Sequence, residues 1–261
     1  MVILKKRYII LLSILVIIFI FIGSFVYNEI FVKRNPLISY TVNGDVLTVS
    51  GKGKIPDYAH CSECSGIFEP LAPWENDVYY VDEIIVEEGI TGIGDHAFDC
   101  CAGVEKIKLP NSIKSIGCFA FDSELTSFYI SENVQSIDYR AFWKMQLQEI
   151  AVDPNNKYFC SIDGVLFNKS ATKLIYYPKN KSGKEYSIPK SVKVIGESAF
   201  SDSNKLLKID IHNKVVSIGE RAFDCYQLKE INYEGTIPQW KKFKNVIDEE
   251  FDSVNVICLG G

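Results

Sequence analysis

From residue 81 onward the apolar positions follow one recurring pattern. An apolar residue, two mostly polar residues and an apolar-any-apolar triplet recur as Val81-Asp-Glu-Ile84-Ile-Val86, Val104-Glu-Lys-Ile107-Lys-Leu109, Leu125-Thr-Ser-Phe128-Tyr-Ile130, Leu147-Gln-Glu-Ile150-Ala-Val152, Leu206-Leu-Lys-Ile209-Asp-Ile211 and Leu228-Lys-Glu-Ile231-Asn-Tyr233. Side chains two apart on a strand share a face, so each triplet predicts a short strand that buries its first and third residues. Between these strands stands a second signature, Ile-Gly-x-x-Ala-Phe. It runs from Ile93-Gly94 to Ala97-Phe98, Ile116-Gly117 to Ala120-Phe121, Ile195-Gly196 to Ala199-Phe200 and Ile218-Gly219 to Ala222-Phe223. In a fifth copy, Ile137-Asp138 to Ala141-Phe142, aspartate replaces the glycine.

Neighbouring Phe residues lie 23, 21 and 23 apart, outside one interval of 58 from Phe142 to Phe200. A unit of about 22 residues cannot bury its own apolar face, so the units must stack as a solenoid with parallel rungs. Gly after Ile fits a corner where a Cβ would obstruct the chain, and Phe fills the interior beside it. These are core residues rather than ligand contacts.

The repeats resemble the BspA-like leucine-rich-repeat family, whose pattern is approximately Leu-x-x-Ile-x-Ile-Pro-x-x-Val-x-x-Ile-Gly-x-x-Ala-Phe-x-x-Cys. Leu109-Pro110, Ser187-Ile188-Pro189 and Ser191-Val192 match its Pro step and Cys101 its cysteine, while Asp138 and an early Cys225 depart from it. The resemblance covers about residues 80–235 and implies a leucine-rich-repeat solenoid, mainly β with short helical turns, that binds a partner. Asn43-Gly44 to Gly53, with Ala72-Pro73-Trp74, resembles the β-hairpin cap that opens such arrays. Tyr233-x-Gly235-Thr236-x-x-Gln239-Trp240 resembles their closing segment. Within the long interval, apolar runs around the Lys169–Thr172 turn predict a hairpin inserted in an extended coil.

Upstream of the repeats, Lys5, Lys6 and Arg7 precede an apolar stretch from Tyr8 to Tyr27, long enough as a helix to span about 30 Å of hydrocarbon. This predicts a single N-terminal transmembrane helix with the amino terminus inside. Gly23-Ser24-Phe25 makes a poor cleavage site, and secretion after signal cleavage stands as the alternative. The expected organisation is a cytoplasmic tail at 1–7, a signal anchor at 8–32, a hairpin cap and loop at 33–79, repeats at 80–235 with an insertion at about 153–186, and a closing cap at 236–261. The bulk of the chain then lies outside a cell membrane.

The balance of 28 basic and 33 acidic residues, with the basic ones spread along the chain, makes nucleic acid an unexpected partner. His60, His96 and His212 lie far apart and are read as surface residues. Cys61-Ser-Glu-Cys64 beside His60 has metal-ligand spacing but no second pair, so a local disulfide and uncommitted thiols stand beside the zinc reading. Several other cysteines recur at near-equivalent repeat positions and are expected to be buried thiols. Asp95, Asp122, Asp224 and Glu87-Glu88 are expected at solvated corners. No nucleotide-binding, hydrolase or metalloprotease motif occurs, so neither an enzyme nor a cofactor is expected. Asn168-Lys-Ser170 and Asn180-Lys-Ser182 match a glycosylation pattern.

Outward positions on stacked strands usually form the binding surface of a repeat protein. Here they read Ile85, Lys108, Tyr129, Ala151, Asp210 and Asn232, with Glu83, Lys106, Ser127, Glu149, Lys208 and Glu230 two places earlier. Mixed charge around Tyr129 favours a protein ligand from host, matrix or the cell's own envelope over a small molecule. The expected function is adhesion or recognition outside the cell, with envelope scaffolding as the alternative.

Overall fold

The computed structural model describes residues 37–59, 71–99, 101–243 and 254–260. The described part opens with an antiparallel hairpin, β1 (Ile38–Asn43) and β2 (Val46–Gly51), followed by β3 (Gly53–Lys54). It then winds in coils that place a longer strand on one face and a shorter strand on the other. The first three coils carry β4 (Glu83–Val86) with β5 (Ile90–Ile93), β6 (Lys106–Lys108) with β7 (Ser115–Ile116), and β8 (Ser127–Ile130) with β9 (Ser136–Ile137). Next comes β10 (Glu149–Val152), then an antiparallel meander of β11 (Phe159–Ile162), β12 (Val165–Asn168) and β13 (Lys173–Tyr176). The array resumes with β14 (Glu185–Ser187), β15 (Val194–Ile195), β16 (Lys208–Ile211), β17 (Ser217–Ile218) and β18 (Glu230–Tyr233), and ends with α1 (Ile237–Trp240) and β19 (Asn255–Cys258). Strands of successive coils pair in parallel on both faces, as in β4 with β6 and β5 with β7.

The spacing of the coils is set at the Ile-Gly corner. A Cβ on Gly94 would lie 2.0 Å from the Pro56 carbonyl oxygen, and one on Gly219 would lie 2.4 Å from the Glu197 nitrogen. Glycine is needed here for closeness, because backbone meets backbone of the preceding coil. Two residues later the chain takes a left-handed conformation on side chains that ordinarily avoid it: His96, Phe119, Ser198 and Arg221 have φ of 55°, 49°, 50° and 52°. An inter-coil hydrogen bond accompanies three of these turns, with the His96, Phe119 and Ser198 N–H groups donating to the carbonyls of Cys118, Arg140 and Glu220. Each following alanine, at 97, 120, 199 and 222, is fully buried.

Inside the corners runs an aromatic spine. Trp74 stacks on Phe98 at 5.4 Å and Phe98 on Phe121 at 5.7 Å, and the line continues through Phe128 and Phe142 to Tyr176. Tyr177, Phe200 and Phe223 carry it through the second half. Such ring pairs add roughly 0.5–1.5 kcal/mol beyond their buried area. Polar side chains tie the outer corners in the same way: Ser112 Oγ donates to Ile90 O, Asn133 Nδ2 to Asn111 O, and the buried Asn156 Nδ2 to both Ser131 O and Val134 O.

The expected hairpin around residues 169–172 is present as β12 and β13, and it is part of a three-strand meander because β11 joins it. Asp163 and Gly164 at φ of 49° and 74° make the two-residue turn that this pairing needs. At the amino end Trp74 is buried, and its Nε1 donates to Ala97 O at 3.0 Å, which locks the cap onto the first corner. At the other end Thr236 and Gln239 form a capping box on α1, and β19 adds a parallel strand to β18. Apart from α1 and the 3-10 turn Glu75–Asp77, the described corners are turns rather than helices. The apolar segment read as an anchor, residues 8–32, lies outside the described residues; among those described, no helix is long and apolar enough to cross a membrane.

Gly219→Ala should lower unfolding stability in denaturant titration by about 1–3 kcal/mol, because the new Cβ meets backbone that cannot yield. Gly103→Ala, whose Cβ would have 3.8 Å to its nearest neighbour, should stay within about 0.5 kcal/mol of the parent. Phe121→Ala should cost about 3–5 kcal/mol.

Candidate binding surface

The longer strands form the outward face, but in three blocks rather than one continuous sheet. The first runs β1-β2-β4-β6, the second is β8 with β10, and the third runs β14-β16-β18-β19. Lys106 and Lys108 therefore edge the first block. Ser127, Tyr129 and Glu149 belong to the second, where Ser127 faces Glu149 and Tyr129 faces Ala151. Lys208, Asp210, Glu230 and Asn232 lie in the third, with Lys208 opposite Glu230 and Asp210 opposite Asn232. All five residues of the first two blocks are exposed; the four of the third are half-buried.

Charge on this face is largely compensated locally. Lys108 Nζ lies 2.6 Å from the Glu83 carboxylate on the neighbouring strand. Lys208 Nζ sits 3.7–4.0 Å from Glu230, Asp210 and Glu185, a small network between rungs. Tyr129, 57% exposed, donates from its hydroxyl to Asp153 Oδ2 at 2.6 Å. That bond holds the Asp153 carboxyl below its ordinary range and pushes the Tyr129 phenol up. The exposed ring is thereby tethered at its hydroxyl to the residue that follows β10.

Between the first and second blocks the face is open. A cavity of about 250 Å³ is lined by Ile107, Leu109, Ile113, Ile116, Leu125 and Phe128 and rimmed by Lys108, Ser127 and Tyr129. Sequence reading missed the lining residues because they occupy ordinary core positions of the repeat. One signal was present. Leu125 follows Phe121 by four positions, whereas Val104 follows Phe98 by six and Leu147 follows Phe142 by five.

The histidines correct an expectation. His212 is only 2% exposed, with Nε2 bonded to Pro189 O at 2.9 Å and Nδ1 accepting from Lys214 N, so it is a corner tie and not a surface residue. His96 has a carboxylate beside it, Asp99, with Nδ1 and Oδ2 2.9 Å apart, and Lys144 Nζ lies 2.6 Å from the other Asp99 oxygen. The Asp99 carboxylate is buried and held by two potentially cationic partners, which satisfies a charge that would otherwise be costly. The thiol near this pair, Cys101, is pushed up to about 12 by burial and by Asp122 and Asp99. It is therefore held as a thiol, the form without nucleophilic power. Burial likewise raises Cys225 to about 12, and its Sγ donates to Phe200 O at 2.7 Å; Cys118 is raised to about 11.

The corner acids are not all simply solvated: Asp95 Oδ1 accepts from Cys118 N at 2.8 Å and Glu88 from Asn111 N at 2.9 Å. Both sequon asparagines are engaged as well. Asn168 Oδ1 accepts from the Thr172 and Lys173 N–H groups, and Asn180 Nδ2 donates to Gln146 Oε1. Cys61, Cys64 and His60 lie outside the described residues, among which no cluster of metal-ligating side chains occurs.

Stacked coils with an Ile-Gly corner, an aromatic spine and an outward strand face define a leucine-rich-repeat solenoid. The chain belongs to the BspA-type family of such proteins: the model of the BspA type leucine rich repeat region matches residues 76–173 and 158–246, in six copies. A leucine-rich repeat protein from Eubacterium ventriosum is similar in structure, with a TM-score of 0.55 at 24% identity over 85% of this chain and 76% of that one. The pneumococcal vaccine antigen PcpA gives 0.49 at 23% identity, over 74% and 68%. A leucine rich cell surface protein from Faecalibacterium prausnitzii gives 0.48 at 16% identity, over 86% and 93%. At 24% identity the likeness to the Eubacterium ventriosum protein is one of fold. No curated protein matches the chain. Leucine-rich-repeat domains generally bind proteins and are typically non-enzymatic scaffolds.

Burial and a raised pKa should keep Cys101, Cys118 and Cys225 unlabelled by iodoacetamide at mildly alkaline pH in the folded protein, with all three labelled in denaturant. Peptide mass spectrometry reads this directly, and native-state labelling of Cys225 at the rate of a free thiol would contradict the assignment.

Proposed function

We propose that this chain is a membrane-anchored protein-binding module that presents its repeats outside the cell and engages a protein ligand through the longer-strand face. The observation that carries this reading is the exposed group Lys106, Lys108, Ser127, Tyr129 and Glu149 on adjoining rungs, with the Tyr129 hydroxyl tethered to Asp153. An aromatic residue with a fixed orientation among mixed charges can anchor a partner at low entropic cost. The basic cluster Lys5, Lys6 and Arg7 ahead of the apolar run from Tyr8 to Tyr27 supports the anchor, and membership of a leucine-rich-repeat family supports binding over catalysis.

The test is a triple variant of the full chain, Lys108→Ala, Tyr129→Ala and Asp210→Ala, displayed on intact cells. All three side chains reach solvent, so folding should be retained. Capture of host or matrix protein should fall about tenfold or more, as the loss of one good anchor implies. Binding unchanged by the triple variant would remove this face from the function. Crosslinking on the same cells separates adhesion from envelope scaffolding, since only scaffolding yields a partner in the same membrane.

A further inference from the structure

The break between β6 and β8 is a wedge opened on one face only. On the opposite face the same two coils stay joined, with Ser115 opposite Ser136 and Ile116 opposite Ile137. On the longer-strand face β6 pairs with β4 and β8 with β10, and neither pairs with the other. Other rungs begin with a forked bond from two successive N–H groups to one carbonyl: Glu105 and Lys106 to Asp82, Gln148 and Glu149 to Thr126, and Lys229 and Glu230 to Leu207. The equivalent bonds from Thr126 and Ser127 to Glu105 are absent, and the last tie before the break is Glu124 N to Val104 O. Two strand edges therefore face each other with their ladder groups unpaired by protein.

The core beneath is open to the same side. Ile84, Ile150, Ile209 and Ile231 are buried to 0–1% exposure, whereas Ile107, Leu109 and Leu125 remain half-buried around the cavity. The shortest of the Phe-to-strand links, Phe121 to Leu125, and a Phe at the Ile position, Phe128, stand at the opening. The Phe128 ring packs between the Phe121 and Phe142 rings, 5.5 and 4.8 Å away, and lines the cavity beside Ile107.

We infer that this cleft is a strand-addition site: it takes an extended peptide that completes the interrupted sheet, with apolar side chains facing in and an acidic side chain facing Lys106. The inference rests on the protein-binding reading above and names the chemistry of its partner. Backbone groups on two facing edges call for a ligand with a backbone of its own, and an apolar floor calls for alternate apolar side chains. Charge complementarity selects the outward residue. Lys108 is already paired with Glu83, Lys106 has no ion pair among the described residues, and Ser127 and Tyr129 on the other edge are neutral. An acidic residue beside Lys106 forms the favourable cross-strand pair.

The experiment uses the full chain in mild detergent and a fluorescent, end-capped peptide alternating valine with one glutamate and threonines. Saturable binding read by anisotropy is expected. Exchanging the glutamate for lysine should weaken it about fivefold, and Lys106→Glu should reverse that preference, a result that misfolding cannot produce. N-methylation of alternate peptide amides should abolish binding, as should Leu125→Trp in a protein whose thermal unfolding is unchanged. Equal binding of the N-methylated peptide, no reversal with Lys106→Glu, or no binding at all would each overturn strand addition. If the peptide fails while the triple variant still loses its partner, strand addition falls and protein binding on this face stands. If the peptide binds while the triple variant keeps its partner, the cleft stands and the wider face falls.

Discussion

A coil of 21 to 23 residues has no interior of its own, so everything in this molecule depends on how closely one coil can approach the next. That approach is limited at the Ile-Gly corner, where a side chain on Gly94, Gly117 or Gly219 would overlap the backbone of the coil before it. With the corners in contact, the Phe rings fall within stacking distance, the alanines beside them close the interior, and the strands on either face come into pairing range. The left-handed turns at His96, Phe119, Ser198 and Arg221 belong to the same constraint: each bends the chain back into the core immediately after the corner.

The same constraint explains where the regularity fails. When the connection after Phe121 shortens, the shorter-strand corner keeps its contact because backbone closeness is enforced there. The longer strand β8, reached through the shortest of these links, does not pair with β6. On the longer-strand side only ladder bonds and a few apolar contacts are given up, and those bonds can be replaced by water. A link shorter by one or two residues thus coincides with an opening between the first and second blocks of the face.

Much of the fold was legible because two signatures with fixed internal spacing locate the rungs and corners, and the structure places Ile84, Ile150, Ile209 and Ile231 in the core as their alternation implies. Several elements were not legible. β11 pairs with β12 through Asp163-Gly164, a strong turn signal that stands outside the repeat pattern. β19 pairs with β18 outside the two repeat signatures, so no spacing locates it. His212 is buried because its ring replaces a side-chain-to-backbone tie made elsewhere by Ser112 and Asn156, a role that three residue types share and no spacing reveals. The outward direction of alternate strand residues follows from the period of two, and five of the nine are exposed while four are half-buried. Their division into three blocks follows from connection lengths, which a repeat pattern averages away.

The meander at the centre has a further effect. Val165, Leu166 and Phe167 on β12 are all fully buried, Leu166 among the apolar residues of the amino-terminal coils and Val165 and Phe167 among those of the carboxy-terminal coils. Tyr176 and Tyr177 divide in the same manner. Elsewhere coils could be added or removed with little effect on distant ones, as in any one-dimensional stack. Here one strand is shared property, and severing the chain beside it would leave an apolar flank in water on whichever fragment kept it. The meander is thus a keystone: the two runs of coils stand or fall together across it, and a change in array length can be accommodated at the flanks but not at this joint.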